Sequence, residues 1–416
     1  MKNIRLLLII SLLLSLGTLA VLIYQTNHKK RLIKEDLIEI SDIKYGLFNV
    51  DEWRDIVSEI IAKKIDELEV QGKDKVKLEK KITDFLKNVI HDFEKDYYDK
   101  NRDSFSGIIK NIGASAFDIF GSMKIRIPEF SKQIVEFLDD PENKKNLKAY
   151  ITAKINEYAE NTFSEVDYSA HNAVLKKYPW GDRPATIAGL RALLNDFQEQ
   201  SNLYKYILAV IAVLTAVFIF LSQVYSKMEF ILLTLVCLLF LVLGLTLPMI
   251  EIDARISDFK ISLLGEQINF QQQVIYYKSK SIIEVIQLMI QQGGFDLLMV
   301  GLLVFIFSVL FPLSKLITSV CMVLLPRMKS NKIALFLVYK TGKWSMADVM
   351  VVAIFMAYIG FSGILTEQLS QIEGLSSKVE VLTTNQSSIQ IGFFAFTAFA
   401  LLSLLLNKRS QKTLAP

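Results

Sequence analysis

Cysteine and histidine are nearly missing from this chain. Two cysteines (Cys237 and Cys321) and three histidines (His28, His91 and His171) are spread through 416 residues. Both cysteines fall inside long apolar runs. They therefore build neither a disulfide framework nor a zinc ribbon, and they read as small buried apolar residues. The histidines stand at unrelated positions without metal-type spacing, which leaves no metal centre and no base for a nucleophile. No G-x-S-x-G string, phosphate loop or G-x-G-x-x-G occurs. The expectation is a protein that is not an enzyme, does not itself hydrolyse ATP and holds no metal or cofactor. An excess of one charge is also missing: 47 basic residues are set against 43 acidic ones. Nothing resembles a basic patch for nucleic acid.

What the chain has in plenty is apolar sequence. Hydrophobic residues make up 52% of it, too much for an ordinary soluble protein of this length. Six runs approach or exceed the roughly 20 residues that span a bilayer: 5–24, 203–223, 230–250, 295–325, 346–365 and 389–406. The first is too long for the apolar core of a signal peptide and has no clear small-x-small cleavage site, so it reads as an uncleaved signal anchor. The loop 326–343 carries Arg327, Lys329, Lys332, Lys340 and Lys343 without an acid, and the tail carries Lys408, Arg409 and Lys412. By contrast, 366–388 holds Glu367, Glu373 and Glu380 against Lys378. The positive-inside rule then puts both termini in the cytoplasm and residues 27–202 outside. One cluster runs against this: Lys29, Lys30, Arg31 and Lys34 directly follow the first run.

The expected fold class is mainly α, a polytopic membrane protein with six transmembrane helices. Its parts are a signal anchor at 1–26, a helical extracytoplasmic domain at 27–202, a second span with a short cytoplasmic link at 203–228, a four-helix membrane module at 229–408 and a cytoplasmic tail at 409–416. In the polar domain, apolar residues recur at helical spacing over 53–68, 78–90 and 147–158. Asp140-Pro141-Glu142 reads as a helix start, and the last helix, from 186, runs on into the second span. Alternation over 249–256 and 268–275, with Gly265 between, predicts a small antiparallel sheet on the module. Residues 281–291 read as a short amphipathic helix stopped by Gly293-Gly294.

The polar residues inside the apolar runs are the candidates for function. Gly301, Ser308 and Lys315 are spaced by seven on the fourth run, with Pro312 on the same face. Asp348 opens the fifth run one turn from Ser345, beside Trp344 at the interface. Thr397 falls near the middle of the sixth. A charge near a bilayer centre costs roughly 2.5–3.5 kcal/mol on insertion scales, so it persists only with a partner, water or a task. Lys315 and Asp348 are placed to pair in one leaflet. That pair either pins two helices or forms a polar site or relay with Ser308, Ser345 and Thr397. Pro248 either loosens the outer end of the third run or simply ends its helix.

These strings resemble the paraquat-inducible protein A family: Leu245-Thr246-Leu247-Pro248, Ser281-Ile282 with Gly293-Gly294, Ser308 with Phe311-Pro312-Leu313-Ser314-Lys315, and Trp344-Ser345-Met346-Ala347-Asp348-Val349. The resemblance covers about 229–408. It implies a four-span module of the bacterial inner membrane with a small extracytoplasmic sheet. It also implies membrane lipids as cargo and partnership with an MCE-domain protein that carries lipid between membranes. The family's cytoplasmic zinc ribbons have no counterpart here, and one copy of the module stands where two are frequent. The expected function is lipid transport between inner membrane and periplasm. The alternatives are a membrane-embedded sensor or scaffold acting through its extracytoplasmic domain, and a proton-coupled transporter.

Overall fold

The computed structural model describes residues 2–46, 49–67, 75–98, 124, 126–159, 167–222, 225–263, 266–291, 293–325, 328, 331–336, 338, 353–354, 357, 360, 363 and 379–414. Helix α1 (Lys2–Ile40) is one unbroken helix of 39 residues. Its first part is Leu- and Ile-rich, and it then continues through a charged stretch in which Arg31 pairs with Glu35 one turn on, at 2.9 Å. It ends where Asp42 turns the chain into a short 3-10 turn, Ile43–Tyr45. Among the described residues four helices follow: α2 (Val50–Glu67), α3 (Lys75–Tyr98), α4 (Ile127–Phe137) and α5 (Leu147–Ala159). The helical periods read at 53–68, 78–90 and 147–158 fall on α2, α3 and α5. Pro141 opens a 3-10 turn, Pro141–Asn146, ahead of α5 and not the α-helix itself.

Helix α6 (Ser169–Lys177) leads to α7 (Arg183–Leu221), again 39 residues without a break. Asp182 caps α7 by accepting the Ala185 N–H, and Pro184 sits in the first turn. The domain helix therefore does run into the membrane helix, as expected. The boundaries read at 26/27 and 202/203 fall inside α1 and α7, which lie against each other.

A capping box starts α8 (Lys227–Thr246): Ser226 and Glu229 each satisfy the other's backbone N–H. The helix stops at Leu247, before Pro248, whose carbonyl accepts from Gly392 at 3.0 Å. Pro248 thus marks a plain helix terminus. Strand β1 (Ile250–Leu263) pairs antiparallel with β2 (Glu266–Lys280); β1 runs on past the expected 249–256 toward the turn, and β2 exceeds the expected 268–275 at both ends. Helix α9 (Ile282–Gln291) carries a second capping box, Ser281 with Glu284, and ends at Gly293 and Gly294, both at positive φ. Helix α10 covers Phe295–Leu324, with a π turn at Ile306–Leu310. A short helix, α11 (Lys332–Leu335), follows. Strands β3 (Val379–Asn385) and β4 (Ser388–Ile389) both pair with β1, and α12 (Ile391–Leu414) closes the chain.

The third and fourth strands were not anticipated. Val379, Val381 and Thr383 alternate with Glu380, Leu382 and Thr384 over only seven residues, inside a segment whose most visible feature is its acidity. Among the described residues five helices are long and apolar enough to cross a membrane: α1, α7, α8, α10 and α12. The expected run 346–365 lies for the most part outside the described residues. The membrane core joins Leu16 and Ile23 of α1, Leu208 of α7, Phe230 and Phe240 of α8, Ile286 of α9 and Phe396 of α12. Gly244 lets α12 come close, since a Cβ there would sit 2.7 Å from Phe396 Cα. The hairpin is not a free cap. Ala254, Ile256, Phe259, Ile268 and Phe270 share one core with Val57, Ile82, Phe130 and Ile151 of the helical domain.

The basic cluster after the first apolar run has a structural use. Lys34 Nζ lies 3.0 Å from Glu251 Oε1 and 2.9 Å from Asp253 Oδ2. Arg31 pairs with Glu284, the cap of α9. At the other end of α1, Arg5 lies 3.6 Å from Glu229, the cap of α8, and donates to Ser222 Oγ at 2.6 Å. Each capping-box glutamate is thus held by an arginine of α1. The two arginines stand about 39 Å apart at about 1.5 Å per residue, close to the roughly 40–45 Å of a bilayer with its headgroups.

Asp253 has no exposed surface and also takes a fork of two bonds from Arg255, at 2.6 and 2.8 Å. Burial alone would raise its pKa, but the Arg255 bonds and the Lys34 charge outweigh it and hold the carboxyl below its ordinary value. Removing one member of a buried pair leaves the other charged and unpaired, at a cost of about 3–5 kcal/mol. Asp253→Asn is expected to lower the thermal unfolding temperature of the detergent-solubilised protein on that scale. A depressed carboxyl stabilises above its unfolded pKa of about 3.9 and loses that stability as pH falls through the folded value. The gap between wild type and Asp253→Asn should therefore narrow in melting curves taken below about pH 4.

Candidate functional site

Helix α10 presents one buried face. Gly301, Ser308, Pro312, Lys315, Leu316, Ser319, Met322 and Val323 are buried, and the other residues between 301 and 323 are less so. The sevenfold spacing of Gly301, Ser308 and Lys315 therefore places them on the inner face as expected. Pro312 has no N–H to give the carbonyl of Ser308. The helix widens at this point into the π turn, whose defining bond runs from the Phe311 N–H to the Ile306 carbonyl. Ser308 Oγ is buried and has no hydrogen-bond partner among the described residues.

Lys315 is 5% exposed. Its surroundings are Phe230 and Thr234 of α8, Leu316 and Ser319 of its own helix, and Ser403, Leu406 and Asn407 of α12. The hydroxyls there have their hydrogens committed: Thr234 donates to Phe230 O at 2.8 Å, Ser319 to Lys315 O at 2.8 Å and Ser403 to Ala400 O at 3.1 Å. What they offer an ammonium is lone pairs. Asn407 Nδ2 donates to the Val338 carbonyl at 3.4 Å, tying the segment after α10 to the end of α12. Among the described residues no carboxylate lies within ion-pair distance of Lys315. The cleft holds about 10 Å³, the margin of what a single water needs. A proton or a water can use such a space, but a lipid headgroup cannot.

Trp344, Ser345 and Asp348 lie outside the described residues, and the Lys315–Asp348 pairing with them. Thr397 donates to Phe393 in its own helix at 2.8 Å and is not among the residues around Lys315. Thr234, Ser319, Ser403 and Asn407 take that place. The sequence carries their signal: Ser319 follows Lys315 by one turn, and Ser403 and Asn407 are a turn apart at the end of the apolar part of α12.

Among the described residues five apolar helices of spanning length, three of them lining a buried polar cleft, and a small antiparallel sheet make this a multi-pass membrane protein. Residues 267–370 match the family model of paraquat-inducible protein A. The match covers about a quarter of the chain, from β2 through α9, α10 and α11 and on to residue 370. It holds Ser308, Pro312, Lys315, Trp344, Ser345 and Asp348. It is narrower than the expected 229–408, and Pro248 and Thr397 fall outside it. No curated protein and no solved structure matches the chain.

Lys315 provides a test that separates stability from activity. A buried ammonium with no carboxylate within ion-pair distance carries a desolvation cost that an apolar side chain of similar length does not. Lys315→Met is expected to unfold at or above the wild-type temperature while losing activity. A variant that is active, or that unfolds well below wild type, would show Lys315 to be a structural pin.

Proposed function

We propose that this protein assists lipid transport between the inner membrane and the periplasm, working with an MCE-domain partner. The observation that carries the reading is the match of 267–370 to paraquat-inducible protein A, centred on the segment that holds the buried lysine. In this reading Lys315 and its ring of hydroxyl acceptors act as a polar core that changes protonation or hydration as the helices move. Lipid itself passes elsewhere, because the cleft at Lys315 is too small for a headgroup. The signal anchor, the cytoplasmic termini and the periplasmic placement of 27–202 belong to the same proposal, supported by the basic loop 326–343.

A scaffold reading draws on a different observation: the helical domain and the hairpin share one apolar core, so a protein bound outside could be felt at the membrane module. The two readings part in one experiment. The protein is purified with its native lipids and with the products of neighbouring genes, as wild type, as Lys315→Ala and Asp348→Ala, and with 51–202 deleted. Transport predicts bound phospholipid, an MCE-domain partner and loss of activity in both point variants. Absence of both lipid and such a partner would sink it. Point variants that stay active while the deletion is inert would favour the scaffold.

A further inference from the structure

Where α1 and α7 leave the apolar zone on the side of the sheet, the cations outnumber the anions that reach them. Tyr24 on α1 and Tyr206 on α7 are 64% and 73% exposed, the placement of aromatic side chains at a membrane interface. Just beyond them stand Lys30 and Lys205. Lys30 is 7% exposed, and its Nζ donates to the neutral Gln198 Oε1 at 2.6 Å. Lys205, two turns along α7 from Gln198, is half-buried and has no hydrogen-bond or ion-pair partner among the described residues. The Lys30–Gln198 bond sets α1 beside the face of α7 that also carries Lys205, seven residues on, and the charge of Glu251 reaches both lysines. Glu251 is already engaged by Lys34, and Asp253 by Lys34 and Arg255.

A buried ammonium is costly unless an anion meets it. Here a buried lysine and a half-buried one are left with one nearby carboxylate, and that is paired with a third lysine. Lys30 lies about 9 Å above Tyr24 at the helical rise, which is headgroup depth, and the Lys205 stem can reach up to the same level. The geometry points to a site for the phosphate of an anionic lipid, held between Lys30 and Lys205 in the leaflet on the sheet side. Both residues lie outside the matched segment 267–370, on the helices that this chain adds to it. The site needs α1 and α7 to sit in a bilayer but does not depend on the protein moving lipid.

The test uses the full chain in nanodiscs of phosphatidylcholine containing a minor fraction of phosphatidylglycerol, with native mass spectrometry of the released protein. Wild type is expected to carry phosphatidylglycerol out of proportion to its share. Lys205→Gln should lose that enrichment about tenfold, the loss of one charge-assisted bond, and Lys205→Arg should keep it. Lys30→Gln should act as Lys205→Gln does. If burial makes that variant unfold, the Gln and Arg variants at 205 still decide. Enrichment unchanged in Lys205→Gln overturns the site. So does equal retention of both lipids by wild type, and displacement by inorganic phosphate alone would assign the site to a free anion. Bound phospholipid that persists without headgroup preference would leave transport standing and remove this site.

Discussion

Asp253 is fully buried at the base of a hairpin, and it is reached by cations from two directions. Arg255 comes from the same strand and Lys34 from α1, whose first part is one of the five apolar helices of spanning length among the described residues. A carboxylate without solvent is tolerated only when such partners are in place. That requirement fixes where α1 stands relative to the sheet. The same helix also supplies Arg31 to the cap of α9 and Arg5 to the cap of α8. Helix α1 thus binds the membrane module at both of its faces through groups that also start the module's own helices.

This arrangement explains a local conflict with the charge rule. Four basic residues right after the first apolar run would ordinarily mark a cytoplasmic end. Here Lys30, Arg31 and Lys34 find a glutamine, a glutamate cap and the paired carboxylates of β1. Charges committed to protein partners no longer report only on membrane orientation. Apart from Glu35, the acids they meet lie more than 200 residues away in sequence, so no local reading could connect them. The S-x-x-E strings Ser226–Glu229 and Ser281–Glu284 are local features, whereas their common use of arginines from α1 is not.

Much of the rest was readable because it depends on short-range periodicity. The spacing of Gly301, Ser308, Pro312 and Lys315 gave the buried face of α10, and the alternation around Gly265 gave the hairpin. The failures have the opposite character. Strands β3 and β4 exist because β1 offers an edge, and seven residues of weak alternation do not announce this. The set around Lys315 could not be drawn from one helix, since Thr234, Ser403 and Asn407 arrive from α8 and α12. Thr397 seemed equivalent by depth, yet it spends its hydroxyl on Phe393.

Two polar regions therefore serve different ends: a small lysine cleft within the membrane, and a larger charged junction where α1, α7 and the hairpin meet. The central claim is that the α1 cations hold the hairpin and α9 to the helices of the membrane. Hydrogen exchange of an Arg31→Ala, Lys34→Ala double variant in nanodiscs tests it most directly. The account predicts faster exchange in 250–291, with protection in α8 and α12 unchanged. Unchanged protection in the hairpin, or a uniform loss across all elements, would contradict it.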